Sequence, residues 1–266
     1  MSDHGRMHIP ESGLATPAAA HSDDPPHPHF NRRVTSFRAR RSTISDAQQA
    51  TWDRLWPELG RQVRDGDAPA GRLDTTPAGR LDTEAWFGRH APVVLEIGCG
   101  TGTSTLAMAQ AEPDIDVVAV EVYRRGLAQL LSAMDREGVT NIRLIRGDGV
   151  DVLTHMFGPD SLTGVRVFFP DPWPKARHHK RRLLQPDTVA LIADRLRPGG
   201  ILHAATDHMG YAGHIAEVGD AEPRLRRIDP DDAGLPISTA RPVTKYQRKA
   251  LAGTEVAELL WEKTTP

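Results

Sequence analysis

The sequence has a single cysteine, Cys99, among its 266 residues. One cysteine excludes an internal disulfide and a cysteine-based zinc site. No run of about 18 apolar residues occurs, so we expect no membrane span, and the first residues lack the apolar centre of a signal peptide. Hydrophobic residues make up 39% and charged residues 26%, which is ordinary for a globular protein. We therefore expect a cytoplasmic protein.

A strong excess of either charge is also lacking, because the formal net charge is −2. The average conceals two concentrated basic runs. The first contains Arg32, Arg33, Arg38, Arg40 and Arg41, and the second contains Lys175, Arg177, Lys180, Arg181 and Arg182. Either run alone is compatible with solvated surface. Two runs in a near-neutral chain predict local recognition of an anion.

Composition divides the chain into a tail and one domain. Residues 1–31 are rich in Pro, His, Ala, Ser and Asp, which predicts a disordered tail, and its irregularly spaced histidines predict no metal site. Residues 32–266 form the predicted domain: a basic extension and helix at 32–65, a loop with a short duplication at 66–84 and the catalytic core at 85–266. Ser45 and Gln48 predict a capping box at the start of that helix, which Pro57 bends or ends.

Residues 93–102, Val-Val-Leu-Glu-Ile-Gly-Cys-Gly-Thr-Gly, predict a buried strand, a glycine loop and then a helix. Glycine lets a backbone turn sharply and lets a ligand lie directly against it. A dinucleotide fingerprint would need glycine where Thr103 stands. A phosphate-binding loop would need a lysine that is missing here. The loop therefore predicts a ligand without phosphate, or a turn that binds nothing.

Two further strands end beside acidic residues. Asp116 to Val120 precedes Glu121, a position from which a carboxylate can accept hydrogen bonds from both hydroxyls of a ribose. Asn141 to Ile145 ends near Asp148, which is placed to bind an adenine amino group. With Glu96 and the glycines, this set resembles the S-adenosylmethionine site of Rossmann-like methyltransferases. A cradle rich in carboxylates suits a cationic sulfonium.

The remaining pattern alternates helices and strands, which predicts a parallel sheet with helices on both faces. Helices are predicted near 123–137, 150–156 and 186–197, and strands at 165–169 and 201–206. Arg224 to Ile228 and Val256 to Trp261 predict antiparallel edge strands. Ligands are expected at the carboxyl ends of the parallel strands.

The strand at 165–169 leads into Pro170-Asp171-Pro172-Trp173-Pro174-Lys175, which we call the proline loop (residues 170–175). Its prolines restrict the backbone, so Asp171 is predicted to be a rigidly held carboxylate near the ligand. Asp-Pro-Trp also resembles the Asp/Asn-Pro-Pro-aromatic loop of enzymes that methylate amines.

A longer resemblance covers about residues 32–263. The glycine-loop stretch, the segment Phe-Phe-Pro-Asp-Pro-Trp-Pro-Lys-Ala-Arg-His-His-Lys-Arg-Arg at 168–182, Ala-Thr-Asp at 205–207 and Arg-Pro-Val-Thr-Lys-Tyr at 241–246 look like the bacterial tRNA (guanine-N7-)-methyltransferases. The resemblance implies a Rossmann-like class I methyltransferase fold. It also implies S-adenosyl-L-methionine as donor and N7 of guanine 46 in the tRNA variable loop as acceptor.

The resemblance also implies roles for individual residues, with Asp171 as the catalytic position. Cofactor contacts are implied at Glu96, Gly98, Gly100, Gly102, Glu121, Asp148 and Asp171. tRNA contacts are implied at Lys175, Arg177, Lys180, Arg181, Arg182, Asp207, Thr244, Lys245, Tyr246 and Gln247. The family has glutamate where Gln247 stands, and tryptophan is frequent where His208 stands. No metal and no obligatory protein partner are expected.

Three functions remain open at this stage. The first is methylation of guanine N7, whose in-plane lone pair needs no general base. The second is methylation of an exocyclic amine of another RNA or of a small molecule. The third is RNA binding by a protein with a vestigial methyl-transfer site. The basic run directly after the proline loop favours a polyanionic substrate, whereas Gln247 keeps the third function open.

Overall fold

The computed structural model describes residues 1, 35, 37, 43–63, 80–230, 232, 234–242 and 255–265. Apart from residue 1, these belong to one compact unit, Val34–Pro266. The predictions for the tail, the first basic run, most of the duplicated segment and residues 244–247 fall outside the described residues. No helix in the described ranges is long and apolar enough to cross a membrane.

Within the described residues, eight strands form one sheet in the order β1-β4-β3-β2-β5-β6-β8-β7. The strands are β1 (Gly60–Gln62), β2 (Val93–Ile97), β3 (Asp116–Glu121), β4 (Ile142–Arg146), β5 (Leu162–Phe168), β6 (Leu196–Thr206), β7 (Leu225–Ile228) and β8 (Ala257–Lys263). Every neighbouring pair from β1 through β6 is parallel. Strand β8 is antiparallel to both β6 and β7, which confirms the predicted antiparallel edge.

Helices cover both faces of this sheet. One face packs against α1 (Asp46–Leu59), α3 (Thr103–Ala111) and α4 (Arg124–Glu137). The other packs against α2 (Thr83–Phe87), α5 (Gly149–His155), α6 (Pro186–Arg195) and α7 (Met209–Ala221). Successive residues of a strand point to opposite faces, so strands buried on both sides are apolar throughout, as β2 and β3 largely are. The predicted α/β fold with helices on both faces is confirmed.

Some elements differ from the predicted pattern. The pattern does not predict α7, because Gly210, Gly213 and Gly219 weaken its helical character. Gly219 is required by packing, since a Cβ there would lie 2.3 Å from the Trp261 ring. Strand β6 begins five residues before the predicted start at Ile201. Its pairing with β5 shifts register between Leu162 and Gly164, and such an irregularity accommodates proline and glycine within a strand.

The predicted capping box of α1 is present. The Ser45 hydroxyl accepts from the Gln48 backbone N–H at 3.3 Å, and the Gln48 side chain accepts from the Ser45 N–H at 3.1 Å. Pro57 does not end the helix, which runs on to Leu59. Because Pro57 lies in the last turn, few intrahelical hydrogen bonds remain for it to interrupt.

Candidate active site

A pocket lies at the carboxyl ends of the central parallel strands, where such folds place their ligands. The lining residues lie at the carboxyl ends of β2, β3 and β5 and in the segments that follow β2, β3, β4 and β5, with Phe37 and Leu183 added from elsewhere. They are Phe37, Ile97, Gly98, Val120, Glu121, Val122, Tyr123, Gly147, Asp148, Gly149, Phe168, Phe169, Pro170, Asp171 and Leu183. The structure thus brings together Gly98, Glu121, Asp148 and Asp171, four of the predicted cofactor positions.

The three glycines of the loop after β2 have different surroundings. Gly98 and Gly100 have φ angles of 80° and 57°, and a Cβ on either would meet no heavy atom within 4 Å. Their backbone therefore borders open space while adopting a conformation that favours glycine. Gly102 also has a positive φ, but a Cβ there would lie 2.5 Å from the Leu130 side chain. Gly102 is required by the packing of α3 against α4.

Glu121 ends β3 and holds the glycine loop in place. One carboxylate oxygen accepts from the Gly100 N–H at 3.0 Å. The other accepts from the backbone N–H groups of Val122 at 2.7 Å and Tyr123 at 3.0 Å. Burial raises the pKa of Glu121, these backbone hydrogen bonds oppose the shift and the nearby Asp171 adds to it. The carboxylate is thus oriented by backbone groups at the pocket wall.

Asp148 and Asp171 complete an acidic pocket wall. Asp148 is the N-cap of α5, and its Oδ1 accepts from the Val150 N–H at 2.8 Å. Asp171 is exposed and follows β5 in the proline loop. Among the described lining residues there is no lysine or arginine. An acidic lining of this kind suits a cationic ligand and disfavours a phosphate.

Glu96 lies outside this lining, in a buried polar row across the sheet. In register it neighbours Arg166 of β5, which in turn neighbours His203 of β6. Burial raises the pKa of Glu96 to about 6, against the opposing effects of Arg166 and Thr105. Arg166 is fully buried and its Nη2 donates to Glu112 at 2.6 Å. The predicted contact between Glu96 and a cofactor stays a prediction.

The proline loop is bounded by backbone strain. Phe169 and Trp173 have φ angles of 50° and 43°, in the left-handed region that bulky residues rarely adopt. Each such residue costs on the order of 1–3 kcal/mol and persists only where the surroundings enforce it. The Phe169 N–H donates to the Ala205 carbonyl at 2.8 Å, and Trp173 is 4% exposed. Asp171 therefore lies between two enforced turns.

The second basic run lies on a 3₁₀ helix, Ala176–Arg181, directly after the proline loop. Lys175, Arg177 and Lys180 are exposed, and none of them has a carboxylate partner among the described residues. Arg181 is half-buried and donates to backbone carbonyls. Arg182 is 6% exposed. Some basic side chains of this run are therefore exposed to solvent, and others pack into the protein.

The remaining predicted substrate positions lie beside the pocket or outside the described residues. Asp207 is exposed directly after β6, whose Ala205 pairs with Phe168 of β5. Its neighbour His208 caps α7, accepting from the Tyr211 N–H through Nδ1 at 3.1 Å. Residues Thr244 to Gln247 lie outside the described residues.

Two residues near the pocket were missed by the sequence prediction. Phe37 lines the pocket although it belongs to the basic extension. The only feature of the sequence that distinguishes it is its position between arginines. Arg241 opens the quoted motif at 241–246, and its guanidinium lies 4.8 Å from the Phe169 ring centre. It pairs with Glu258 at 2.6 Å, and Glu258 is bonded to His203 at 2.7 Å. Burial by itself raises the pKa of Glu258. The hydrogen bonds and charges of His203 and Arg241 lower it by more, so the pKa of Glu258 lies below its ordinary value.

The chain matches one protein-family model and several known proteins. The family model described as "Putative methyltransferase" matches residues 90–258. A protein of Mycolicibacterium gilvum (strain PYR-GCK) named tRNA (guanine-N(7)-)-methyltransferase is 78% identical, over 99% of this chain and 100% of its own. Proteins of the same name from Mycobacterium avium (strain 104) and Mycobacterium tuberculosis (strain ATCC 25177 / H37Ra) are 63% and 62% identical. They cover 98% and 99% of this chain, and 99% and 96% of their own.

Among solved structures, the 16S rRNA methyltransferase KamB is 17% identical with a TM-score of 0.46. The match covers 72% of this chain and 95% of that one.

Proposed function

The chain belongs to the tRNA (guanine-N(7)-)-methyltransferase family, and from that premise we propose that it methylates N7 of guanine 46 in the tRNA variable loop with S-adenosylmethionine as donor. The observation that carries the proposal is the composition of the pocket. Glu121, Asp148 and Asp171 line it together with Phe168 and Phe169, and an exposed basic surface follows directly in the chain. The pocket suits a cation and the adjacent surface suits a polyanion.

The residues present fit the proposed cofactor. Gly98 and Gly100 border open space where a ligand can lie against the backbone. Glu121 would accept hydrogen bonds from the ribose hydroxyls, with its orientation already set by three backbone N–H groups. Asp148 would accept from the adenine amino group. The cofactor supplies a methyl group activated by positive charge on sulfur, which this acidic lining complements.

The chain's main catalytic task is placement. Guanine N7 carries an in-plane lone pair in the neutral base, so no residue has to remove a proton before attack. In well-oriented systems, holding the base in line with the methyl group lowers the activation barrier by roughly several kcal/mol. Asp171 would hydrogen-bond the base edge and balance the positive charge that develops on the guanine ring. The enforced turns at Phe169 and Trp173 supply the rigidity that this role requires.

The exposed basic side chains would hold the tRNA. Lys175, Arg177 and Lys180 are suited to phosphate contacts, which fix register but carry little sequence information. Recognition would then depend mainly on the shape of the tRNA. Asp207 and residues 244–247 are proposed as further substrate contacts. With tRNA as its partner, the protein would act in the cytoplasm, and we propose no obligatory protein partner.

The test is incubation of the protein with labelled S-adenosylmethionine and unmodified tRNA, followed by nucleoside analysis. We expect 7-methylguanosine at one variable-loop position. The matched control is the same tRNA with guanine 46 replaced by adenine, which should accept no methyl group. Recovery of N6-methyladenosine or an N2-methylated guanosine would support the amine-methylating alternative. tRNA binding without any methylation would support a vestigial site.

A further inference from the structure

The basic run 175–182 has two sides because of the geometry of its helix. A 3₁₀ helix has three residues per turn, so residues three apart lie one above the other. Arg177 and Lys180 form one such pair, and both are exposed. His178 and Arg181 form another pair, and both contact the buried Trp173 ring, His178 edge-on at 5.8 Å and Arg181 at 3.9 Å. One side of the run thus faces solvent and the other faces the proline loop.

Arg182 is directed inward, towards the backbone of the proline loop. Its Nε donates to the Pro172 carbonyl at 3.0 Å, one residue beyond Asp171. Its guanidinium lies 4.9 Å from the centre of the Tyr211 ring, which is fully buried. The Tyr211 hydroxyl accepts from the Leu184 N–H at 3.2 Å. Arg182 therefore connects the loop that carries Asp171 to a fixed aromatic group on α7.

Arg181 connects the proline loop to the N-terminal extension. Its Nε donates to the Thr35 carbonyl at 3.2 Å, and its Nη2 donates to the Phe37 carbonyl at 3.0 Å. Its guanidinium covers the Trp173 ring at the strained end of the loop. Phe37 in turn lines the pocket. One side chain thus fixes both a pocket wall and the end of the loop opposite Phe169.

We propose that Arg181 and Arg182 are positioning residues for methyl transfer, and that within this run the RNA phosphates contact Lys175, Arg177 and Lys180. Arg182 holds the strained loop so that Asp171 keeps its orientation. Arg181 holds Phe37 at the pocket and covers the Trp173 ring at the end of the loop, so cofactor binding and loop geometry depend on the same side chain. This inference rests on the proposed function, and it changes the role that the family resemblance implies for these two arginines.

Substitution by lysine separates positioning from phosphate binding. Lysine keeps a point charge that can pair with a phosphate, but it has no planar fork to stack on a ring while donating to backbone carbonyls. We therefore expect Arg181→Lys and Arg182→Lys to slow single-turnover methylation at saturating tRNA and cofactor by about tenfold or more. Arg181→Lys should also weaken S-adenosylmethionine binding, measured by calorimetry without RNA, because Phe37 loses its anchor.

Substitution by alanine gives an independent readout through salt dependence. Each lost phosphate contact reduces the slope of log affinity against log salt by about 0.9 for duplex nucleic acid and about 0.7 for single strands. Arg177→Ala, the matched control from the exposed side, should reduce the slope by such an amount. Arg181→Ala should retain the parent's slope. Arg182→Ala should also retain the parent's slope. Arg182 is buried, so where this variant does not fold, as judged from its thermal midpoint, Arg182→Met is used, because it removes the charge and keeps much of the side-chain length.

The outcomes are distinguishable. The inference is supported if the lysine variants are slow while Arg181→Ala retains the parent's salt slope for tRNA binding. It is overturned if Arg181→Ala reduces the slope as Arg177→Ala does, or if both lysine variants methylate at the parent's rate. If the parent forms no 7-methylguanosine, the proposed function fails instead. The calorimetric comparison of Arg181→Lys with the parent then still tests the anchoring of Phe37.

Discussion

Replacing Glu96 with glutamine should stabilise the folded protein at neutral pH while weakening its cofactor binding. Glu96 is 3% exposed, and burial raises the pKa of its carboxyl from 4.5 to about 6. The ionised form is therefore disfavoured in the folded protein relative to the unfolded chain. Glutamine has nearly the same shape and never ionises, so it removes this cost at every pH.

The size and sign of the effect follow from the two pKa values. Their difference, at about 1.4 kcal/mol per pH unit, corresponds to about 2 kcal/mol. Between pH 4.5 and 6 the folded state binds more protons at Glu96 than the unfolded state does. Its contribution to stability is therefore complete below pH 4.5 and is lost as pH rises through about 6. Above that range Glu96→Gln should exceed the parent by the full amount.

The assay is urea denaturation of parent and variant at pH 4.5, 5.5, 6.5 and 8. The difference in unfolding free energy should grow with pH and level off above about 6.5. Calorimetry at pH 8 should show weaker S-adenosylmethionine binding by the variant, because the buried negative charge near the glycine loop is gone. A difference that is constant across the pH range would refute the raised pKa. Unchanged cofactor affinity would remove Glu96 from the proposed site.

The other predictions concern the pocket itself. Glu121→Ala should lower cofactor affinity about tenfold or more, because a charge-assisted hydrogen bond is worth roughly 1.5–3 kcal/mol; unchanged calorimetric affinity would mean that Glu121 does not contact the ribose. Asp171→Asn should slow saturated single-turnover methylation by about 10² or more with a far smaller change in tRNA affinity, and a rate within about threefold of the parent would exclude Asp171 from catalysis. Gly102→Ala should destabilise the fold more than Gly98→Ala in urea denaturation, because only the former places a Cβ against Leu130; equal losses would contradict the packing argument.

The central part of the fold could be predicted because its residues are patterned locally. Strands β2 and β3 are short apolar runs bounded by glycine or acidic residues, and a buried parallel strand needs little else. Helix α7 could not be predicted in this way, because Gly219 is explained only by contact with Trp261, more than forty residues later in the chain. The early start of β6 likewise depends on a register shift against β5.

In the candidate site, too, some features follow from local sequence patterns and others depend on tertiary contacts. Glu121, Asp148 and Asp171 could be predicted as neighbours because each follows a parallel strand, and the sheet brings those ends together. The separation of Arg177 from Arg182 could not, because both belong to one basic run in the sequence. Their different directions follow from three-residue turns and from a ring on α7, which is a tertiary contact.

The position of β8 between β6 and β7 has a consequence for synthesis on the ribosome. Strand β7 emerges before the strand that must separate it from β6. At about 5–20 residues per second, the chain between them takes roughly 1 to 6 s to appear. During that interval the backbone N–H and C=O groups that β6 presents to β8 lack their native partners, and β7 is available to pair with them directly. Codon choice between β7 and β8 would therefore set how long the nascent chain is exposed to this mispairing.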